Sequence, residues 1–420
     1  MGLRTPLLIT LLLAGAGSVV VVAAAQQSAV PPPEWARSVE VVDDGTVVHV
    51  AAREGARRRG TVKRRTRLPL MRRVAGTGCS TGTWVQVGPE AYVCDGALRM
   101  SASPPGGTPQ PVMRGERLLP HTYAFVGVDG TRAYAHPSDY EADQYVEAFG
   151  EGFGLVVAGR RDWEGIPFVQ TRRGLWVERD SLRFARGTDF AGVEIRAGEP
   201  LDLAWVQRDG ARIFAAPRGR EVSRAGRRHV VHVAERVSGG RVRLQDGTYM
   251  RARDLAIASA AGRPEGVGPT ERWIDVDVDQ QVMVAWEGDR PVYATLVSTG
   301  RRRRTHQTPI GEFRIWVKLA ESNMDDLERS DVERNYAIEG VPWVQYFERS
   351  NGFHAAFWHD RFGTRTSHGC VNLTPADARW LFGFTGPALP VGWYAVLPTE
   401  RDPGTLVRVR DGDPAPSEIE

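Results

Sequence analysis

An internal repeat in the middle of this 420-residue chain is the feature that most restricts how it can fold. Residues 124–137 recur as residues 204–217, a shift of eighty positions without a gap. Both copies carry Ala-aromatic-Val, then an Asp-Gly pair, then an alternating run that ends in proline. An Asp-Gly pair between apolar runs predicts a β-hairpin. A fixed period of this kind is typical of tandem modules, so we expect copies of one small β-structure.

A second signature, an aromatic-hydrophobic pair followed by a leucine, closes each copy. Its instances are Trp176-Val177 with Leu182, Tyr249-Met250 with Leu255 and, in a weaker N-terminal copy headed by Asp44-Gly45, Tyr92-Val93 with Leu98. We therefore expect three modules, at residues 40–100, 118–190 and 197–262, with a linker at 101–117. Their size favours small barrels that close their own edges. They resemble bacterial SH3-type modules, which implies contact with wall glycan or peptide, or a role as spacer.

The length and charge of the chain limit what it can be. A chain of 420 residues is expected to hold about two to four domains. Apolar and charged fractions of 42% and 25% are those of a globular protein. A net charge of +3 is small for this length and makes nucleic acid a poor partner. The arginine run at 301–304 is expected to be a solvated turn.

The N-terminal sequence indicates export. Arg4 precedes an apolar run that ends in Ala23-Ala24-Ala25, as in a signal peptide with its cleavage site. The alternative is an uncleaved anchor, because about twenty apolar residues can span a bilayer. We expect a signal at residues 1–25, a proline-rich linker at 26–39, and a location in the periplasm or cell envelope. Membrane contact is expected only if the first segment is retained.

The chain has three cysteines, and export changes how they are interpreted. In an oxidising compartment Cys79 and Cys94 are expected to form a disulfide, although two free buried cysteines remain an alternative. Either way, Cys370 has no partner in this scheme. An odd thiol in an exported protein is a candidate reactive group.

Cys370 lies in the sequence Ser367-His368-Gly369-Cys370-Val371-Asn372, sixteen residues after His354. A nucleophilic cysteine needs an imidazole to accept its proton, and His354 and His368 are the nearest in sequence. Glycine beside the nucleophile would let a substrate carbonyl approach the backbone N–H groups of residues 368–370. These groups are expected to form an oxyanion hole.

At these residues the chain resembles the L,D-transpeptidase catalytic domain of the YkuD type. The further matching segments are residues 273–281, 297–300 and 308–313, so that the resemblance covers about 270–400. It implies a β-rich mixed α/β domain after the three modules, and hence a mainly β protein. It also implies that Cys370 forms an acyl-enzyme, that His354 is its base, and that the neighbouring residues shape the site. Those neighbours are Ser367, His368, Gly369 and Asn372. Ala355 stands where relatives often have glycine.

The resemblance implies a peptidoglycan L,D-transpeptidase. Its donor would be a tetrapeptide stem, cut between the diamino acid and the terminal D-alanine, and its acceptor an amine of another stem, giving a 3-3 cross-link. Other acceptors are an envelope protein or water, and the latter would make the protein an L,D-carboxypeptidase. A non-catalytic wall-binding protein is a further alternative. No cofactor is expected.

A zinc hydrolase is the alternative from a different class. Its ligands would be His354, His359, His368 and Cys370, whose spacings could reach one metal ion. Against it, no carboxylate base stands at an H-E-x-x-H type position. A glycine beside the cysteine also suits a nucleophile better than a ligand.

Four further elements are predicted in the C-terminal third. Alternation from 274 to 284 predicts two strands, with Asp275, Asp277 and Asp279 on a solvated face rather than in a metal cluster. Residues 374–382 predict a helix, with Thr374 as its cap. Residues 321–334 are the best candidate for a short helix or mobile flap. Residues 401–420 are expected to be a disordered tail.

Overall fold

The computed structural model describes residues 29–108, 110–302, 305–325 and 337–412. The predicted signal segment, the second half of the arginine run, most of the predicted flap and the last eight residues of the predicted tail lie outside these ranges. Within them the chain forms 34 strands, four short 3-10 helices and one α-helix. The prediction of a mainly β protein is confirmed. In the part of the chain described, no helix has the length and apolar character needed to cross a membrane.

The N-terminal part of the described chain contains nine strands. They are β1 (Ala29–Val30), β2 (Ser38–Val41), β3 (Thr46–His49), β4 (Arg58–Val62), β5 (Arg67–Pro69), β6 (Arg72–Ala75), β7 (Thr83–Gly88), β8 (Ala91–Cys94) and β9 (Leu98–Ser101). A 3-10 helix, Asp95–Ala97, comes directly before β9. Cys79 and Cys94 form a disulfide with an S–S distance of 2.06 Å, which encloses β7.

The second and third predicted modules contain seven strands each. The second has β10 (Thr122–Val126), β11 (Thr131–Tyr134), β12 (Glu147–Phe149), β13 (Gly154–Trp163), β14 (Ile166–Thr171), β15 (Trp176–Glu178) and β16 (Leu182–Phe184). After β17 (Val193–Glu194), the third has β18 (Leu203–Val206), β19 (Ala211–Phe214), β20 (Glu221–Ala225), β21 (Val230–Val237), β22 (Arg241–Leu244), β23 (Tyr249–Arg251) and β24 (Leu255–Ile257). Here too a 3-10 helix precedes the last strand of each module.

All three modules pair their strands in one order. In the second module the order is β16, β10, β13, β14, β15, β11, β12, and in the third it is β24, β18, β21, β22, β23, β19, β20. In the first module the order is β9, β2, β5 and then β6, β7, β8, β3, β4. The two strands β5 and β6 together take the place of the single long strand β13 or β21. The sequence repeat therefore corresponds to one topology used three times. Their likeness to SH3 domains stays a prediction.

The C-terminal domain has ten strands and the α-helix. They are β25 (Arg272–Asp277), β26 (Val282–Glu287), β27 (Arg290–Leu296), β28 (Gly311–Arg314), β29 (Val317–Asp325), β30 (Ala337–Glu348), β31 (Asn351–Ala355), β32 (Val371–Leu373), α1 (Pro375–Phe384), β33 (Trp393–Val396) and β34 (Leu406–Arg410). One sheet has the order β17, β27, β26, β25, β34, β28. In the other, β33, β29, β30, β31 and β32 are neighbours in turn.

The predicted helix is present, and it covers one face of the second sheet. Thr374 caps α1 by accepting a hydrogen bond from the Asp377 N–H. Ala378 and Leu381 pack in one apolar cluster with Phe353 of β31 and residues of β32. Side chains alternate along a strand, so even-numbered residues of β31 and β32 face away from the helix.

The first module and the C-terminal domain share that apolar cluster. It contains Val62 of β4 as well as Trp393 of β33, and these two residues pair across an antiparallel ladder. A side chain at Gly60 would place its Cβ 2.2 Å from the Ala395 carbonyl oxygen, so glycine allows the two strands to approach. The module is therefore a lateral extension of this sheet.

Two expectations about this domain were wrong. Residues 406–410 of the predicted disordered tail form β34, which pairs in parallel with β25. Asp275 and Asp277 are buried, because Arg410 donates to both carboxylates and Arg408 donates to Asp275 at distances of 2.7 to 2.8 Å. Buried carboxylates require such partners, and the arginines of the presumed tail provide them.

The predicted flap begins inside a strand. Residues 321–325 belong to β29, which pairs with β30. The rest of the predicted segment, 326–334, lies outside the described residues.

Candidate active site

The pairing of β31 with β32 places Cys370 and His354 on one face of the sheet. In this parallel pair His354 lies opposite Asn372, and the same register puts Cys370, two residues earlier, opposite Gly352. Paired residues and their second neighbours share a face. The ladder begins at Val371, and the Gly352 backbone donates to the Cys370 sulfur, so Cys370 lies one position before the ladder and diagonal to His354.

The Cys370 thiol is neutral at physiological pH. The residue is partly exposed, and its Sγ donates to the Ser350 carbonyl oxygen at 3.5 Å. Burial of the sulfur raises the thiol pKa to about 11, although a hydrogen bond from the Gly352 backbone acts in the opposite direction. The resting sulfur thus lies within hydrogen-bond distance of the Ser350 carbonyl oxygen.

The His354 imidazole is buried and uncharged. Burial lowers its pKa to about 4. Its Nδ1 donates to the Ala355 carbonyl oxygen at 3.2 Å, which leaves Nε2 as the basic atom. The Trp358 ring stacks on it with centroids 5.6 Å apart. Ala355 itself lies in the core on the opposite face, so its methyl group does not narrow the site.

The loop before Cys370 is closed by three hydrogen bonds. Ser367 Oγ accepts from the Gly369 N–H at 3.1 Å and donates to the Cys370 carbonyl oxygen at 2.5 Å. Thr308 Oγ1 donates to the Gly369 carbonyl oxygen at 2.8 Å. Gly369 has φ +131°, and a Cβ there would lie 2.2 Å from Asn351 Oδ1. The turn therefore requires glycine. Because Ser367 accepts the Gly369 N–H, that group is not available to an oxyanion as expected.

Asn372 is buried and His359 half-buried, and the two side chains pair beside the site. Asn372 Nδ2 lies 2.9 Å from His359 Nε2, while the Arg361 N–H donates to His359 Nδ1. Since Nδ1 accepts, the ring proton is on Nε2, and exchange of the Asn372 amide nitrogen and oxygen lets Oδ1 accept it. This orientation also gives a partner to the buried Asn372 Oδ1. His368, by contrast, packs edge-on against His306, with ring centroids 4.4 Å apart.

Tyr346 is a residue of this face that the sequence analysis missed. It pairs with Gly352 across β30 and β31, so it lies in the same row as Cys370. Burial raises the pKa of its phenol, and the nearby Cys370 thiolate charge raises it further. Trp316, 45% exposed, stacks on it at 6.0 Å. The short turn at 349–350 between two alternating runs could have indicated this pairing.

The residues of the zinc alternative are not arranged as ligands. In residues 29–108, 110–302, 305–325 and 337–412, no three His, Cys, Asp or Glu side chains are grouped so that they could hold a metal ion. His359 pairs with Asn372 instead, and burial lowers its pKa to about 4.

A thiol and a neutral imidazole on one sheet face, beside a loop closed by serine and glycine, define the class of candidate cysteine acyltransferases. Residues 271–409 match the family model YkuD, the L,D-transpeptidase catalytic domain. The C-terminal part of this chain therefore matches that domain, as predicted, and the match extends nine residues beyond the expected end.

Similar proteins include the putative L,D-transpeptidase YciB of Bacillus subtilis, 28% identical over 121 residues, which are 26% of this chain and 59% of YciB. The chain thus spans about three-fifths of that relative's length. The catalytic domain of the E. faecium L,D-transpeptidase is 23% identical with TM-score 0.26, over 34% of this chain and 98% of that one. The L,D-transpeptidase from Mycobacterium smegmatis is 18% identical with TM-score 0.28, over 50% and 99%.

Proposed function

We propose that the protein is a peptidoglycan L,D-transpeptidase that acts through a thioester on Cys370. The donor is a tetrapeptide stem, attacked at the carbonyl between the diamino acid and the terminal D-alanine. The acceptor is the side-chain amine of a second stem, which gives a 3-3 cross-link, or another envelope amine. The observation that supports the proposal is the register of β31 and β32, in which His354 lies opposite Asn372, two residues after Cys370.

The two pKa values define how the thiol is activated. A thiol with a pKa of about 11 beside an imidazole with a pKa of about 4 is a neutral pair, not a thiolate-imidazolium ion pair. Proton transfer from sulfur to His354 Nε2 therefore accompanies attack on the carbonyl. The C–N bond then breaks, His354 returns the proton to the leaving D-alanine amine, and the thioester remains.

The second half-reaction uses the same groups in reverse order. The acceptor amine attacks the thioester, its proton passes to His354, and the thiol is released as it recovers that proton. Because Ser367 accepts the Gly369 N–H, the Cys370 N–H and the Tyr346 hydroxyl are the proposed oxyanion donors. Each such donor is typically worth about 3 to 4 kcal/mol in the transition state.

Export to the periplasm or cell envelope belongs to the same proposal. Two observations support it: the apolar N-terminal run with its Ala-x-Ala end, and the disulfide between Cys79 and Cys94. Disulfides persist in oxidising compartments. In that setting the modules contact the wall, as their resemblance to SH3-type domains implies.

Defined disaccharide-tetrapeptides, incubated with the purified protein and analysed by mass spectrometry, test the function. Cross-linked dimers with loss of D-alanine are expected for the wild type, and none for Cys370→Ala. His354→Ala should bind donor but transfer it at least about a hundredfold more slowly. Tripeptide alone would identify the carboxypeptidase alternative. Sacculus binding without any product would identify the wall-binding alternative.

A further inference from the structure

The sheet face that carries Cys370 continues as far as Glu321. Cys370 lies opposite Gly352, Gly352 pairs with Tyr346, and Tyr346 pairs with Val317, so one row crosses four chain segments. Glu321 follows Val317 by four residues on β29 and has the same side-chain orientation. Glu321 lies about 13 Å along β29 from this row, and β29 lies about 14 Å across the sheet from Cys370.

Glu321 binds side chains from the first and second modules. Arg172 Nη1 lies 2.8 Å and His121 Nε2 lies 3.3 Å from its Oε2, while Lys63 Nζ lies 3.7 Å from its Oε1. Burial alone would raise the Glu321 pKa, but the nearby His121 side chain and the hydrogen bond from Arg172 lower it to about 2. The carboxylate is therefore ionised, and it holds cationic side chains from two modules in place.

The second module covers this part of the face with an apolar contact. Tyr123 stacks on Phe357 with ring centroids 3.7 Å apart and donates to the Gly340 carbonyl oxygen at 2.8 Å. Val344, which neighbours Tyr346 on the same face, belongs to the same apolar cluster as Tyr123. This contact makes the module a wall of the face that carries the candidate site. The cationic side chains on that wall are thus fixed relative to Cys370.

The cluster retains positive charge and access to solvent. Arg172 and Lys63 carry two fixed positive charges against the single negative charge of Glu321. Their side chains are 40% and 33% exposed, whereas Glu321 is only 12% exposed. Lys63 Nζ also lies 5.6 Å from the centroid of the Tyr394 ring. An exposed arginine and lysine over a buried carboxylate present N–H donors outwards, which is the chemistry that binds a carboxylate.

We propose that Arg172 and Lys63 form a subsite for a carboxylate of the peptide substrate, supplied to the catalytic domain by its N-terminal modules. The subsite rests on the proposed function, because it takes the anionic peptide of that reaction. Its distance from Cys370 corresponds to about five or six extended residues. It therefore recognises a carboxylate of the acceptor stem, because a tetrapeptide donor attacked after its third residue has no carboxylate so far from the attacked carbonyl.

Kinetics with two forms of one substrate test the subsite. The disaccharide-tetrapeptide is used with its carboxylates free and with them amidated, and transfer is measured for wild type, Arg172→Gln and the double variant Arg172→Gln/Lys63→Gln. For the free acid we expect KM to rise about tenfold in the double variant with kcat unchanged. For the amidated substrate, wild type and variants should agree.

Two control variants separate binding from structure. Arg183→Gln removes one positive charge from the same module, at a side chain that is 68% exposed, and should leave KM unchanged. Arg172→Lys keeps the charge and should recover most of the affinity. Thermal unfolding of each variant shows whether the module is still folded.

The source of the carboxylate follows from separate half-reactions. The variants should leave acyl-enzyme formation with donor alone unchanged and raise the KM for acceptor at saturating donor; an effect on the donor step would contradict the assignment to the acceptor. The subsite is refuted if the variants match wild type on the free acid, or if KM rises equally for free and amidated substrates. Absence of an acyl-enzyme in the wild type would instead refute the proposed function.

Discussion

Alkylation of Cys370 by iodoacetamide, measured against pH, tests the neutral thiol-imidazole pair directly. With a pKa of about 11, about one thiol in a thousand is ionised at pH 8. A cysteine with the ordinary pKa of about 8.5 is about one quarter ionised at that pH. The difference in thiolate is therefore about two hundredfold.

The greater nucleophilicity of the more basic Cys370 thiolate offsets part of that difference in the reaction rate. A Brønsted coefficient of about 0.4 to 0.5 makes the more basic thiolate about tenfold more reactive. We therefore expect Cys370 to react about twentyfold more slowly than a free cysteine at pH 8. The rate should still rise about tenfold per pH unit between pH 8 and 10, because the thiolate fraction does so.

Mass spectrometry of the intact protein gives the rate, and Cys370→Ala, which should not react, gives the background. His354→Ala should be alkylated at nearly the wild-type rate, since an imidazole with a pKa of about 4 carries no charge that could stabilise the thiolate. A rate that levels off below pH 8, or falls sharply in His354→Ala, would mean that the resting site holds an ion pair. The activation scheme would then be wrong.

Two further predictions concern Gly369 and Lys318. Gly369→Ala should lower transfer at least about a hundredfold with the fold retained, because the added Cβ clashes with Asn351 and φ is +131°. Circular dichroism checks the fold, and a near-normal transfer rate would contradict the clash. Lys318 is buried, with Nζ donating to the carbonyl oxygens of Phe382 and Thr385 at the C-terminal end of α1, and burial lowers its pKa to about 7. Between pH 7 and its unfolded value near 10.5, the unfolded state binds the extra proton, so stability should rise with pH by at most about 1.4 kcal/mol per unit. In Lys318→Met, urea unfolding at pH 7.5 and 9.5 should show that slope removed; an unchanged slope would assign it to another group.

The sequence was enough to identify the candidate reactive residues of the site, but not the residues that surround them. The short motif around Cys370 and the upstream His354 lie on neighbouring strands, so local patterns were enough to name them as candidates. Tyr346 was missed because its place beside Cys370 depends on the hairpin register, which a motif does not state. The role expected for the Gly369 N–H failed for a different reason. A serine two residues earlier can accept the same hydrogen bond, and only the loop geometry decides between the two acceptors.

Long-range pairing accounts for the error in the predicted tail. Residues 401–420 contain prolines and scattered charge, which favours disorder when they are considered alone. Arg408 and Arg410 pair with Asp275 and Asp277, more than 130 residues earlier in the chain. The arginines and the aspartates each appear solvent-exposed when their own segment is considered alone. Together they form ion pairs, and these pairs allow the strand to be buried. Composition averaged over a segment cannot reveal such pairing.

The modules pose the same difficulty on a larger scale, and their placement bears on function. A repeat of small barrels suggests separate bodies on linkers, as expected for wall-binding appendages. Here β4 pairs with β33, the first module shares an apolar cluster with the C-terminal domain, and Tyr123 of the second stacks on Phe357. A spacer needs none of these contacts. Packing of charged module residues on the sheet face that carries Cys370, about 13 Å along it from the Cys370 row, instead favours a part in binding substrate, and the free-acid and amidated substrates distinguish the two roles.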